Sequence, residues 1–370
     1  MERKEMTRRE FISDAALAAG VAAAASVVPV GAADGRSRNI VNYNPNMEYR
    51  RLGKTGLMVS AVCMGGHWKR VHTMINGKLT DSEGYSKNDM ENVNDPSFVA
   101  NRHEVVSRAI DVGINYIDAC AGPEIMAYSR ALRGRRQKMH LGYSWHVRES
   151  RYPAWRSGQK LIEGLEEGMR EAKLDYIDVW RISLPQDRMP NIDELTAIEE
   201  GAMDALAKAK KQGKVRFTGI STHNREWLRS MIESYPKQLE VVLFPYTAAS
   251  KELPDESVFD AIKKHDVGVF GIKPFADNSL FLGNSAKASP HAAEDSRRAR
   301  MAIRYILNNP AITAPIPGLI SAAQVDNVAL AVQEHRKLDR KEKAELEEAG
   351  KRMWANLRPG YQWLRNWEYV

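Results

Sequence analysis

The chain has 370 residues, 43% of them hydrophobic, which is enough for a large core and suits an α/β barrel with additions better than one small domain. Its formal net charge of +7 is spread along helices that interleave Lys and Arg with Glu, as in "KLDRKEKAELEEAGKR", so no basic tract marks a nucleic-acid partner. The two cysteines, Cys63 and Cys120, lack metal-site spacing and are too few for a disulfide framework, so buried free thiols are expected.

Residues 1–32 read as a twin-arginine (Tat) export signal. "TRREFI" sets Arg8 and Arg9 before Phe11, and an alanine-rich, mildly apolar stretch ends in small residues at Ala32 and Ala33. That stretch is too short and too rich in alanine for a stable membrane anchor. The expected location is the periplasm, with the Tat machinery as a partner. Cargo of that route crosses folded, so a nucleotide loaded in the cytoplasm can travel with it. Residues 33–47 read as a flexible linker and 48–370 as the folded unit.

From there the chain alternates short apolar runs with amphipathic stretches. "EYRRLGKTGLMVS" predicts a β-hairpin around Gly53-Lys54. Eight strands follow: "AVCMG", "NYIDA", "MHLGY", "YIDVWRI", "VRFTGIS", "EVVLFPY", "VGVFGIK" and "ITAPIPG". Helical stretches separate or follow them, beginning with "RHEVVSRAIDVG" and ending with "AAQVDNVALAVQEH", and several close on Gly or Asn. Eight strands and eight helices in alternation predict an α/β fold of the (β/α)8 TIM-barrel type. An open doubly wound sheet is the rival, but no GxGxxG follows the first strand. A barrel places function in the loops at the carboxyl ends of its strands. Two segments stand out there: the long polar loop from His67 to Asn101, and the aromatic tail "RMWANLRPGYQWLRNWEYV".

The motifs "EYRRLGKTGLMVSAVCMGG", "AIDVGINYIDAC", "DALAKAKKQGKVRFTGISTHN" and "APIPGLISAAQVDN" resemble the aldo-keto reductases from about Glu48 to Glu334. The resemblance implies the barrel with its N-terminal hairpin, NAD or NADP bound extended across the strand ends, and carbonyl reduction. "GIKPF" and "STHN" resemble a branch that often carries a C-terminal iron–sulfur cluster. No cysteine follows Cys120, so none is expected here. The family's catalytic tetrad is Asp, Tyr, Lys and His, and Asp118 stands at the Asp position. "DACAGPE" is shortened and lacks the tyrosine, while Ser144 and Ser183 fall at the Lys and His positions.

For the cofactor, the resemblance assigns Ser221 and Tyr246 to the nicotinamide, and Ser321 and Gln324 to the far end. Asn327 stands in the pair that follows them. Lys273, at the end of the seventh barrel strand, is placed to meet a pyrophosphate. No Lys or Arg lies between Gly318 and Ser321, so only weak preference for a 2′-phosphate is expected.

Alternation along the fourth barrel strand turns Arg181 inward together with Val179 and Ser183. A buried guanidinium needs a carboxylate, and Asp118 is the expected partner, either as a filler of the barrel or as part of the site. His67, His146 and His223 stand near strand ends. His67 and His146 are the expected proton donors that Asp118 orients. Tyr128 and Tyr143 are spare phenols, Tyr143 pointing away from the site. No metal centre is expected, because no H-x-H or HExxH pattern occurs. Trp68, Trp145, Trp155, Trp363 and Trp367 offer flat faces that suit a sugar ring. Three readings stand: an NAD(P)-dependent oxidoreductase acting on a carbonyl or alcohol, with a sugar as one candidate; a barrel that has lost hydride transfer and does proton-transfer or hydrolytic chemistry; and a non-enzymatic binding protein. In each the partner is a small molecule.

Overall fold

The structure, a computed structural model, describes residues 40–68, 70–75, 92–185, 191–250 and 257–367, with backbone alone at Asn92, Asn366 and Trp367. The export signal and the first part of the linker lie outside the described residues. No helix among the described residues is long and apolar enough to cross a membrane.

A two-stranded antiparallel hairpin comes first, β1 (Tyr49–Arg51) and β2 (Met58–Ser60). Seven parallel strands then run in sequence order: β3 (Tyr116–Ala119), β4 (His140–Tyr143), β5 (Ile177–Ile182), β6 (Val215–Ser221), β7 (Val241–Pro245), β8 (Gly268–Ile272) and β9 (Ala314–Ile316). The segment 63–65 closes the circle. Met64 bridges Ile117 and Gly65 bridges Gly318, while the Cys63 N–H donates to the Pro315 carbonyl at 3.1 Å. Every strand of the expected (β/α)8 barrel is therefore present.

Eight helices pack outside: α1 (Pro96–Asp111), α2 (Gly122–Ala131), α3 (Gly158–Ala172), α4 (Ile192–Lys211), α5 (Arg225–Ser234), α6 (Val258–Lys264), α7 (Ala292–Leu307) and α8 (Ala322–Ala331). α9 (Arg340–Ala355) and a 3-10 segment (Pro359–Trp367) form the tail. Helix α1 begins six residues before the expected "RHEVVSRAIDVG". Asp95 caps it, accepting from the Ser97 and Phe98 N–H groups, and Pro96 occupies its first turn. Part of the long polar loop is thus helix.

The barrel interior is filled from below. Leu52, Leu57 and Val59 of the hairpin join Cys63, Tyr116, Val179, Leu243 and Phe270 in one apolar cluster. Tyr116 stacks on Phe270 at 4.2 Å. Gly53, at φ +47°, lies so close to Gly268 that any side chain there would strike its backbone. Residues 40–47, expected as linker, instead pack on the barrel. Asn42 donates to the Ile110 and Ile114 carbonyls, Asn44 donates to the Asp111 carbonyl, and Met47 is buried. These bonds satisfy carbonyls at the end of α1, which is why the segment is held rather than free.

Candidate active site

At the carboxyl end of the strands lies one cavity of about 590 Å³. Asp118, His67, His146, Arg181, Ser183, Ser221 and Lys273 line one part, and Ser321, Gln324 and Asn327 another. The fold therefore brings all but one of the expected site residues together. Tyr246 is the exception. Leu243 points into the barrel, so by alternation Tyr246 faces the helices. Its ring sits edge-on to Phe259 of α6, it is buried, and its hydroxyl accepts from Asn309 at 3.1 Å.

Asp118 and Arg181 form the expected pair. Arg181 Nε donates to Asp118 Oδ1 at 3.2 Å and Nη2 donates to Oδ2, with side chains only 4% and 6% exposed. Burial opposes the charge on Arg181, but Asp118 outweighs it and drives the guanidinium pKa upward. Gly142 on β4 leaves the room. A Cβ there would lie 2.2 Å from the Tyr116 hydroxyl and 2.6 Å from Asp118 Oδ1.

Neither expected histidine is hydrogen-bonded to Asp118. His146 Nδ1 donates to the Cys120 carbonyl at 2.9 Å. Burial lowers its pKa, so the ring is neutral near pH 7 and Nε2 is left as an acceptor. His67, with φ at +56°, binds Glu124 instead: its backbone N–H donates to Oε1 at 2.8 Å and Nδ1 lies 2.9 Å from the same oxygen. Burial would lower the His67 pKa, but Cys120 and Glu124 overcome it and raise it. Cys120 Sγ lies 3.4 Å from His67 Nδ1, and that contact outweighs burial to lower the thiol pKa. Glu124 is fully buried. Its other oxygen accepts from the Cys120 N–H at 2.6 Å, and these donors hold its pKa down against burial. Cys63, by contrast, is a buried free thiol, as expected.

Cys120 and Glu124 were not foreseen as site residues, nor was Glu149. The Glu149 carboxylate accepts from the Ser183 N–H at 2.8 Å, and burial raises its pKa to about 7. The signal for the first two was present: both lie within the shortened "DACAGPE" at a strand end.

The far part of the cavity combines polar side chains with apolar ones such as Leu319, Ile320 and Val328. Ser321 caps α8, accepting from the Gln324 N–H. Gln324 accepts from the Ile320 N–H at 3.0 Å, and Asn327 is held by Arg300 and the Ser296 carbonyl. Lys287 also lines the cavity, a cation from a loop that the 318–321 stretch gave no reason to expect. Lys273 lies 5.7 Å from the Trp363 ring, and burial lowers its pKa to about 8.

The tail folds against this face. Trp363 stacks on His223 at 4.1 Å, and Tyr361 lines the cavity. Arg358 pins the segment to Asp277 at 2.6 Å. Trp68 and Trp145 are not open platforms. Trp68 packs against Phe98 and Tyr128, and Trp145 lies buried under Arg148. Of Trp367 the side chain lies outside the described residues. Tyr128 and Tyr143 are likewise buried.

Residues 87–300 match the Aldo/keto reductase family. L-galactose dehydrogenase of Arabidopsis thaliana is 22% identical over 311 residues, covering 78% of this chain and 89% of that protein. 6-dehydroglucose reductase of Novosphingobium aromaticivorans is 22% identical over 316 residues, covering 77% and 90%. L-glyceraldehyde 3-phosphate reductase of Escherichia coli K12 is 22% identical over 269 residues, covering 69% and 68%. The barrel superposes on aldo-keto reductase AKR11C1 of Bacillus halodurans with TM-score 0.56 at 21% identity, covering 82% of this chain and 96% of that one. With more than half of its length matched by the family and the barrel in agreement, the chain belongs to the aldo/keto reductase family.

Proposed function

We propose that the protein is an exported NAD(P)-dependent oxidoreductase that acts on a carbonyl or alcohol, with sugars as the substrate class. The observation that carries this reading is the continuity of one cavity from the buried Asp118–Arg181 pair to Ser321 and Gln324 at the N-terminus of α8. The residues present suit a dinucleotide. A helix N-terminus favours phosphate, and Lys273, which has no carboxylate partner among the described residues, adds a cation to the same cavity. Ser221 and Thr222 line the same cavity as Asp118 and Arg181, where the ring would lie. A bound nicotinamide would supply or accept the hydride. The names of two relatives, L-galactose dehydrogenase and 6-dehydroglucose reductase, support a sugar. Export through the twin-arginine route to the periplasm completes the proposal and rests on "TRREFI" and the alanine-rich stretch that follows it.

This chain's residues would divide the work differently from the family tetrad. Arg181 holds Asp118 fixed through two guanidinium donors. His146, neutral and bonded through Nδ1, offers Nε2 to take a proton from an alcohol or return one through solvent. Tyr361 from the tail, which lines the cavity, would help shield it from water.

Loss of the family's Tyr, Lys and His favours a second reading, proton-transfer or hydrolytic chemistry without hydride. One experiment separates the two. NAD or NADP is added with a panel of sugars and sugar alcohols, and reduced nicotinamide is followed by absorbance. The oxidoreductase reading expects turnover that falls at least about a hundredfold in His146→Ala, the low end for a lost general base. Turnover of any substrate without nucleotide, and no nicotinamide reduction when it is added, establishes the second reading.

A further inference from the structure

We infer that His67, Cys120 and Glu124 form a binding site for one divalent transition-metal ion, zinc above all, open to the cavity. Their ligand atoms converge on one point. Cys120 Sγ lies 3.4 Å from His67 Nδ1 and 3.8 Å from Glu124 Oε1, and Nδ1 lies 2.9 Å from Oε1. A triangle with those sides has a centre about 2.0 Å from each corner, and zinc takes nitrogen, oxygen and sulfur ligands at about 2.0–2.3 Å. An ion near that centre needs no movement of backbone.

The arrangement is that of ligands rather than of a nucleophile and its base. In a thiol–imidazole–carboxylate relay the acid and the nucleophile take opposite ring nitrogens. Here sulfur and carboxylate both approach Nδ1, while Nε2 is 4.0 Å from the sulfur. The other bonds are those of a supporting shell. The Cys120 N–H holds Glu124 Oε2, and the His67 N–H holds Oε1, so the carboxylate cannot swing away. A soft sulfur with one nitrogen and one oxygen suits zinc over magnesium or calcium. His67 adopts a left-handed backbone conformation that non-glycine residues rarely accept, and it turns the ring onto the other two ligands.

The open side faces the cavity, which His67 and Cys120 line beside Asp118 and Arg181. An ion there would polarise a carbonyl or alcohol oxygen, the task for which the chain no longer has the family's tyrosine. That role rests on the oxidoreductase reading; the site itself does not.

The test uses the full chain, dialysed against micromolar zinc or cobalt(II) and passed through a desalting column. The expected results are about one zinc per chain by elemental analysis and a thiolate–cobalt charge-transfer band. Cys120→Ser should abolish the band, Glu124→Gln should lower zinc affinity at least about tenfold, and Cys63→Ala should keep both. If a variant fails to fold, the native chain still decides: zinc should slow alkylation of Cys120, and a chelator should restore it. No retained metal, a band that persists in Cys120→Ser, or alkylation indifferent to zinc overturns the site. NAD and NADP are titrated separately. Metal without nucleotide binding leaves the site standing and removes the oxidoreductase reading; nucleotide without metal removes only the site.

Discussion

Removing Arg181 tests the centre of the barrel most sharply. Its side chain is 4% exposed and that of Asp118 is 6%, and two donor groups of the guanidinium reach the two carboxylate oxygens. Arg181→Leu would leave the carboxylate buried beside Tyr116 with its countercharge gone. Breaking such a pair from one side costs about 3–5 kcal/mol, a large share of the roughly 5–15 kcal/mol by which a domain is stable. Asp118→Asn strands the opposite charge and should cost a similar amount. A double variant, Asp118→Asn with Arg181→Leu, should cost well under the sum, because neither charge is then stranded. Urea unfolding followed by far-UV circular dichroism gives the three values, and turnover is measured on the same samples. If Arg181→Leu stays within about 1 kcal/mol of the parent and keeps full activity, the pair neither holds the barrel nor serves the site.

Other consequences follow from the same geometry. Glu149 has its pKa raised by burial from 4.5 to about 7, so the folded state holds a proton that the unfolded state releases. Its contribution therefore fades as pH rises from about 4.5 through 7, by about 3 kcal/mol in all, and Glu149→Gln should flatten that part of the stability–pH curve. Lys273 is protonated below about 8. Nucleotide affinity should fall by about tenfold between pH 7 and 9, and calorimetric titration should show Lys273→Met weaker at pH 7 but free of that dependence. Gly142→Ala puts a methyl group onto Tyr116 and Asp118, and should cost about 1–3 kcal/mol in urea unfolding while lowering turnover. Replacing Arg8 and Arg9 with lysine should hold the precursor in the cytoplasm on cell fractionation, and unchanged export would remove the twin-arginine assignment.

The barrel was legible because its signals are local and repeated. Apolar runs such as "YIDVWRI" and "EVVLFPY" became β5 and β7, and the hairpin turned at Gly53 as the sequence predicts. Arg181 could be placed inward because strand alternation admits only two faces. The same rule, applied from Leu243, turns Tyr246 away from the cavity, so the family assignment failed where parity contradicted it. The cluster of His67, Cys120 and Glu124 was harder to see. His67 and Cys120 are 53 residues apart, and the cluster forms only because a short loop carries Glu124 beneath Gly66, where even a Cβ would strike it. Residues 40–47 look like linker by composition, yet their asparagines find helix-end carbonyls that no local pattern reveals. Trp68 and Trp145 stand in loops by sequence, but close packing buries them.

Calorimetric titration of the full chain with NAD, NADH, NADP and NADPH at pH 7 reaches the central claim most directly. The account predicts saturable binding of at least one of them, weakened in Lys273→Met and accompanied by burial of apolar surface as the ring enters beside Asp118 and Arg181. If none binds at millimolar concentration, this barrel does not carry out nicotinamide chemistry.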